Sequence, residues 1–342
     1  MQEKPKIAVA LSGGLDSSLA AALLKEAGQN IFGITMQIQK DSSVVAEAQK
    51  AASELGIPLV VAEAETEFEQ KVIQYFVNSY LEGQTPNPCF FCNKEMKFSW
   101  LWRQAQKWGA EYLATGHYAR IGRKGEKYQL LKGLDAKKDQ SYVLADLEQE
   151  QLARTIFPLG EYSKEQVRQL AGERGLSTVH KKESQDICFI PDGDYNSFLQ
   201  KRLGKQIQPG NFLNKAGEVI GRHGGYPFYT VGQRRGLGSG FGERMYVLEV
   251  RAASGEIVLG QNEDLLSGEL WTEKNNFSAL GGLTAPLAVE AKIRYNSPPA
   301  PKNGLVRTVF QSPQRAITPG QAVVFYQGEV VLGCGIILPT AF

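Results

Sequence analysis

Seven consecutive residues, Ser12-Gly13-Gly14-Leu15-Asp16-Ser17-Ser18, combine the types needed to hold a pyrophosphate. Two glycines let the backbone turn tightly and aim successive N–H groups at one point, which makes an anion nest. An apolar, strand-like stretch (6–11) precedes the run and a helix-like stretch (19–27) follows it. The nest therefore falls at a helix N-terminus, where unpaired N–H groups and the helix dipole favour negative charge. Ser12, Ser17 and Ser18 add hydroxyl donors. Asp16 is out of place in a pure anion site unless a cation accompanies it, and Mg²⁺ shared between one carboxylate and phosphate oxygens fits that need. The run is neither a Walker loop, since no Gly-Lys-Ser/Thr closes it, nor a dinucleotide G-x-G-x-x-G. The pattern is similar to the loop of ATP pyrophosphatases, which cut ATP between its α- and β-phosphates.

The second set of reactive groups is sulfur. The four cysteines are Cys89, Cys92, Cys188 and Cys334. Cys92 follows a Pro-rich loop (84–92) and precedes helical spacing, so a helix N-terminus and nearby Lys94 are expected to lower its pKa. Cys188 lies in a polar stretch with Lys181 and Lys182 close by. Cys334, inside an apolar β run, reads as a buried small side chain. Cys89 and Cys92 form a C-x-x-C, which fits redox, zinc or iron–sulfur chemistry. No second C-x-x-C completes a structural zinc site, but Cys188 would make a third ligand for an iron–sulfur cluster with one open position.

These groups must be positioned by the elements around them. Strand signals at 31–36, 59–62 and 112–114 alternate with helical ones at 44–55, 65–80, 93–108, 164–174 (with Ser163 as N-cap) and 194–203. That alternation predicts an α/β fold with a doubly wound parallel sheet, whose ligands sit at the carboxyl ends of strands. The loops at Ser12 and Gly116 both follow strands and are expected to share one crevice. Beyond about residue 204 helical periodicity stops and glycines crowd in. From Ala288 onward, alternating β-branched and aromatic residues predict an all-β, barrel-like domain. The expected division is a catalytic domain at 1–203, a small mixed linker domain at 204–263 and a β-barrel domain at 264–342.

With 342 residues and 42% hydrophobic content, the chain can bury several cores, while a net charge of +2 announces no nucleic-acid partner. Charge is local instead. Residues 120–138 hold seven Lys/Arg against Glu126 and Asp135, residues 221–241 hold Arg222, Arg234 and Arg235 with no acid, and residues 292–315 hold five Lys/Arg with none. These stretches are candidates for lining one polyanion groove. No run approaches a membrane span, and the first residues do not read as a signal peptide. Thiols in such a chain are expected to stay reduced in the cytoplasm.

Eight segments in order carry a resemblance to the tRNA-specific 2-thiouridylases: 10–18, 85–98, 114–120, 133–144, 181–195, 229–238, 293–299 and 318–337. The resemblance implies an ATP-dependent sulfurtransferase that 2-thiolates the wobble uridine of tRNA anticodons. Sulfur comes from a cysteine desulfurase or a sulfur carrier protein. By that resemblance Ala10, Leu11, Ser12, Gly13, Gly14, Leu15, Asp16, Ser17, Met36 and Gly116 bind ATP, and Asn87, Pro88 and Cys89 face the target base. It likewise makes Cys92 and Cys188 the catalytic pair, and has His117, Lys138, Asp139, Gln140, Arg294, Tyr295 and Gln321 contact tRNA. Adenylation turns the uracil O2 into a leaving group, a persulfide supplies the sulfur, and a second thiolate releases it. The base must leave the anticodon stack to be reached. Two features depart from the family. Cys89 stands where Asp is common, which keeps open a cluster held by Cys89, Cys92 and Cys188. The segment after Met36 is also short. The rival functions are an amide-forming ATP pyrophosphatase acting on a small molecule, which needs neither Cys92 nor Cys188, and a non-catalytic RNA-binding protein.

Overall fold

A computed structural model describes residues 4–40, 43–181, 187–238, 243–293, 299–302 and 305–339. The first strand, β1 (Lys6–Ala10), is apolar enough to be buried on both faces and lies at the centre of a parallel sheet. Helix α1 (Leu15–Glu26) returns the chain to β2 (Asn30–Gln37), and α2 (Ser43–Leu55) returns it to β3 (Leu59–Glu63). The sheet is completed by β4 (Tyr112–Ala114), beside β1, and by a two-residue edge strand (Thr155–Ile156), giving the order β3-β2-β1-β4 and then the edge strand. Neighbours run parallel, with Ile7 opposite both Ile31 and Tyr112. The order reverses at β1, so the crevice expected of a doubly wound sheet opens beyond the carboxyl ends of β1 and β4, where both loops emerge.

One face of the sheet is covered by α1, α2 and the helix Lys164–Glu173, through Leu15, Leu19, Ala48, Ala51 and Val167. That last helix is started by Ser163, whose hydroxyl accepts from the Gln166 N–H while the Gln166 side chain accepts from the Ser163 N–H, a reciprocal cap. The other face is covered by two longer helices, 65–81 and 88–107, through Phe68, Phe76, Phe90 and Met96. Each contains a wide π-type stretch, Glu69–Ile73 and Asn93–Leu101. Such stretches are common at functional sites.

Beyond the parallel sheet the chain is mostly β. A four-stranded sheet is built from Gly210–Leu213, Val219–His223, Tyr246–Arg251 and Glu256–Gly260. An eight-stranded sheet follows, its core containing Leu270, Val323, Phe325 and Leu332. Two of its strands come from earlier in the chain. The hairpin β5 (Ala119–Lys124) and β6 (Lys127–Lys132) sits inside the region read as catalytic domain, yet Leu131 pairs with Val330 of the last strand. This hairpin was not foreseen, because its Lys/Arg-rich sequence reads as surface charge. It ties the two ends of the molecule through backbone pairing. Among the described residues no helix is long and apolar enough to cross a membrane.

Candidate active site: a phosphate loop joined to a thiol-bearing helix

The loop after β1 is shaped by close backbone approach. Gly13 has φ +71°, and a Cβ there would lie 2.4 Å from the carbonyl carbon of Glu47 on α2, so only glycine fits. The three hydroxyls brace the turn. Ser17 and Ser18 donate to the Gly14 carbonyl at 3.1 and 2.9 Å, and the Ser12 N–H donates to Ser17 Oγ at 3.2 Å. Gly14 is the N-cap of α1 and no side chain caps it, which leaves amides at the helix start for a ligand. Ala10 and Met36, at the ends of β1 and β2, are partly buried beside the loop's strands.

The loop after β4 abuts this one. A Cβ on Gly116 would fall 2.7 Å from the carbonyl carbon of Asp16 and 2.8 Å from the Ser17 nitrogen. The two loops therefore form one crevice, as the strand pattern predicts.

Asp16 is more deeply committed than its sequence suggests. Lys164 Nζ donates to both of its carboxylate oxygens, at 2.8 and 2.9 Å, and the Tyr118 hydroxyl donates to Oδ1 at 2.8 Å. Lys164 is nearly buried, with 11% of its side chain exposed. Mg²⁺ directly on Asp16 does not fit this arrangement, because an ammonium already occupies the face of the carboxylate that a cation would take. Lys181 also reaches the loop, donating to the Gly13 carbonyl at 2.9 Å and pairing with Glu47 at 3.2 Å. Tyr118, Lys164 and Lys181 had no assigned place in the nucleotide site. Lys181 was legible only as part of the 181–195 segment, and Lys164 as one more polar residue at a helix start.

The thiols sit on the other side of His117. Asn87 caps the helix 88–107, its Oδ1 accepting from the Phe90 N–H at 3.1 Å, and Pro88 takes the first helical position. The helix thus begins earlier than expected. Cys89 lies in its first turn and is exposed, whereas Cys92 is one turn on and buried. The expectation of a lowered Cys92 pKa is corrected on this point. Burial pushes its thiol up to about 12, and the opposing pull comes from Lys97. Lys94 is engaged elsewhere, pairing with Asp146 at 3.1 Å and Glu148 at 3.2 Å. Desolvation, followed by the charge of Cys89, also raises the Cys188 thiol, although the residue is exposed. Cys334 is buried in its strand, and burial drives its thiol well up. Among the described residues no three His, Cys, Asp or Glu side chains are grouped to hold a metal ion, so Cys89, Cys92 and Cys188 as placed do not form a cluster's ligand set.

His117 connects the two halves. It follows Gly116, shares a 2.7 Å hydrogen bond between Nδ1 and Thr115 Oγ1, and lies 3.5 Å through Nε2 from Lys97 Nζ. Its ring packs against Phe98 and Phe157. Burial and the Lys97 charge hold its pKa well below the usual histidine value. It is therefore a neutral ring at pH 7.

Three family models match the chain in succession. The tRNA methyl transferase HUP domain covers residues 5–192, the tRNA methyl transferase PRC-barrel domain 196–261 and the aminomethyltransferase beta-barrel domain 268–337. The tRNA-specific 2-thiouridylase MnmA of Desulforamulus reducens is 46% identical over 362 residues, spanning 99% of both chains. That of Carboxydothermus hydrogenoformans is 46% identical over 356 residues and 98% of both. The chain belongs to the tRNA-specific 2-thiouridylase family. Among solved structures, a 4-thiouridine synthetase–RNA complex with bound ATP is 18% identical, covers 58% of this chain and 50% of that one, and has a TM-score of 0.37, too distant a likeness to carry a reading.

Several residues that the 2-thiouridylase pattern offers to tRNA have work inside the protein. The Asp139 carboxylate has 4% of its side chain exposed. It accepts from the Gly133 and Ser141 N–H groups, both at 3.0 Å, and from Lys292 at 3.3 Å. Gln140 accepts from the Tyr118 N–H through Oε1 at 2.9 Å, and so steadies the tyrosine that holds Asp16. Gln321 donates to the carbonyls of Thr85 and Pro86 at 2.8 and 3.2 Å, fastening the Asn87 loop to the C-terminal sheet. All three side chains position loops within the protein. Lys138 is half-buried beside them. Arg294 and Tyr295 lie outside the described residues.

Two of the three basic stretches, 120–138 and 292–315, are likewise less available than their sequence implies. Arg120 pairs with Glu161 and Glu329, Lys132 with Glu290, Lys292 with Asp139 and Arg307 with Glu269. Acids distant in sequence thus neutralise part of what reads as a groove.

Proposed function

We propose that this chain catalyses ATP-dependent 2-thiolation of the wobble uridine of tRNA, activating the uracil O2 as an adenylate and replacing it with sulfur delivered as a cysteine persulfide. The observation that carries this reading is the continuity of the site. The phosphate loop touches Gly116, His117 touches Lys97, and Lys97 acts on the thiol of Cys92. A nucleotide held on α1 and a sulfur held near helix 88–107 thus address one space, which an amide-forming pyrophosphatase would not need.

In this proposal Ala10 to Ser17, Met36 and Gly116 hold ATP, with its phosphates on the amides that begin α1. The uridine O2 attacks the α-phosphorus and pyrophosphate leaves. Asn87, Pro88 and Cys89, fastened by Gln321, face the flipped base. Cys188 carries the persulfide, and a second thiol on helix 88–107, where the family pattern points to Cys92, takes over its sulfur bond. Neutral His117 and cationic Lys97 set the electrostatics between the two halves. The sulfur donor is a cysteine desulfurase or a carrier protein, and a thiol-reducing cytoplasm suits the four free cysteines.

The test is to incubate the purified protein with tRNA, ATP and a persulfide donor, and to identify nucleosides by mass. 2-Thiouridine formed only with ATP, together with AMP and pyrophosphate, supports the reading. Pyrophosphate release with a small amide acceptor and no thiolated nucleoside would favour the amide-forming rival, and tRNA binding with neither product would favour the non-catalytic one.

A further inference from the structure

The wide stretch Asn93–Leu101 opens directly after Cys92. In an α-helix, residues five apart point about 140° away from each other. In a π-type stretch the hydrogen bonds run from i to i+5, so residues five apart stand one turn above each other on nearly the same face. Lys97 is five residues after Cys92, and the wide turn brings its side chain round to the side of the thiol. The segment holding Cys188 is fixed by aromatic packing. Phe189 meets Phe76 edge-on with centroids 5.4 Å apart and Phe68 at 5.8 Å. Phe91 stacks at 4.4 Å on Tyr75, the residue before Phe76. The helix 65–81 thus carries both thiol-bearing segments.

Lys97 is half-buried. Nearby ammonium groups are taken, that of Lys94 by Asp146 and Glu148 and that of Lys71 by Glu95. Lys97 instead faces the neutral ring of His117 at 3.5 Å, and among the described residues it pairs with no carboxylate. Its charge reaches both Cys92 and Cys188 and opposes the burial that keeps them protonated. The other titratable groups felt there are thiols, Cys89 at both positions and Cys188 at Cys92, and each disfavours ionisation.

We infer that Lys97 is the ammonium that favours the thiolate at both sulfurs of the relay, first Cys188 when it accepts sulfur and then Cys92 when it frees it. This rests on the reading above that these two thiols pass the sulfur. The thiolate, not the thiol, is the nucleophile in either exchange, and each thiol gives its proton to water. The Cys188 thiolate attacks the outer sulfur of a persulfide donor, whose own thiolate leaves. The outer sulfur of Cys188 then attacks C2 of the adenylated uridine and AMP departs. The Cys92 thiolate attacks Sγ of Cys188, a Cys92–Cys188 bond forms and the bond to the transferred sulfur breaks. Its electron pair stays on that sulfur, which becomes the thiocarbonyl as N3 takes up a proton. The two cysteines have lost two electrons, which a dithiol reductant restores before the next turnover. Lys97 keeps its proton throughout and acts by charge alone, so another side chain of the same charge and similar reach should stand in for it.

The experiment uses the reduced full-length protein without tRNA or ATP. Wild type, Lys97→Met and Lys97→Arg are treated with iodoacetamide over a range of pH. Chymotrypsin cuts after Phe90, Phe91 and Phe189, so Cys89, Cys92 and Cys188 fall on separate peptides and mass analysis gives a rate for each. At pH 8 the methionine variant should alkylate Cys188 and Cys92 at least threefold more slowly than wild type. Its Cys188 profile should move to higher pH, and the arginine variant should recover most of both rates. In a single turnover with a persulfide donor, tRNA and ATP, Lys97→Met should form 2-thiouridine at least tenfold more slowly. Wild-type alkylation rates in Lys97→Met, a slower rate with the Cys188 profile unmoved in pH, or no recovery with arginine would each overturn the inference. Circular dichroism checks folding, and Lys97→Gln serves in place of Lys97→Met should the latter fail to fold. A wild-type protein that makes no 2-thiouridine defeats the functional reading itself, a separate outcome, since the alkylation rates need neither tRNA nor ATP.

Discussion

Removing the Asp16 carboxylate should weaken the fold as well as the chemistry. In Asp16→Ala the Lys164 ammonium, 11% exposed, loses both of its short contacts, and the Tyr118 hydroxyl loses its acceptor. Breaking a fully buried pair costs roughly 3–5 kcal/mol, whereas an exposed pair contributes at most about 1 kcal/mol. The lysine is near the first limit, but Asp16 is 34% exposed, so solvent recovers part of the loss. A cost of about 2–3 kcal/mol follows from these two limits. At roughly 2–4 °C per kcal/mol for a domain of this size, the apo protein should melt about 4–12 °C lower. Calorimetry or near-ultraviolet circular dichroism without nucleotide measures this. The control is the double variant Asp16→Ala/Lys164→Met, in which the ammonium that Asp16 meets is removed together with the carboxylate. It should be more stable than the sum of the single changes by about 1 kcal/mol or more, since partners in contact couple. A melting temperature for Asp16→Ala within a degree of wild type, or strict additivity in the double variant, would refute the view that Lys164 depends on this carboxylate.

Gly116→Ala places a methyl 2.7 Å from backbone of the phosphate loop, so it should lower ATP affinity at least tenfold, measured by calorimetric titration, while Gly125→Ala, with open space around it, should not. Cys92 should be the slower of the C-x-x-C thiols to react with iodoacetamide at pH 8, as followed by peptide mass. Its ionisation also carries a pH signature. The folded pKa of about 12 lies above the reference value of 9.0, so the folded protein keeps a proton that the unfolded chain gives up, and stability should fall as pH rises from about 9 towards 12. Cys92→Ser should flatten that part of the denaturation profile. Affinity for tRNA should drop by tens of fold between 50 and 200 mM salt if about three phosphates are neutralised. Arg234→Ala/Arg235→Ala should reduce that slope more than Arg307→Ala, whose charge is already met by Glu269.

The parallel sheet was legible because its signals are local. A buried strand such as 6–10 is a short apolar run, α1 and α2 show their helical spacing, and the glycines at 13 and 14 mark the turn between strand and helix. The order of chemistry along the chain was legible for the same reason: a phosphate loop is one contiguous segment, and its backbone geometry follows from its own residues. Thiols are different. Their types and positions are in the sequence, but their reactivity depends on how much water each keeps. That depends on packing, which raises Cys92 where proximity to a helix start and Lys94 suggested the reverse. Charge behaves likewise. The partners of Asp16 and Asp139, Lys164 and Lys292, lie 148 and 153 residues away, so neither pairing was legible along the chain. The β5–β6 hairpin followed the same rule, since only pairing with Val330 turns a basic stretch into sheet. Local backbone form and the inventory of reactive groups were thus set by neighbouring residues along the chain, whereas protonation, charge pairing and access were decided by contacts between distant segments.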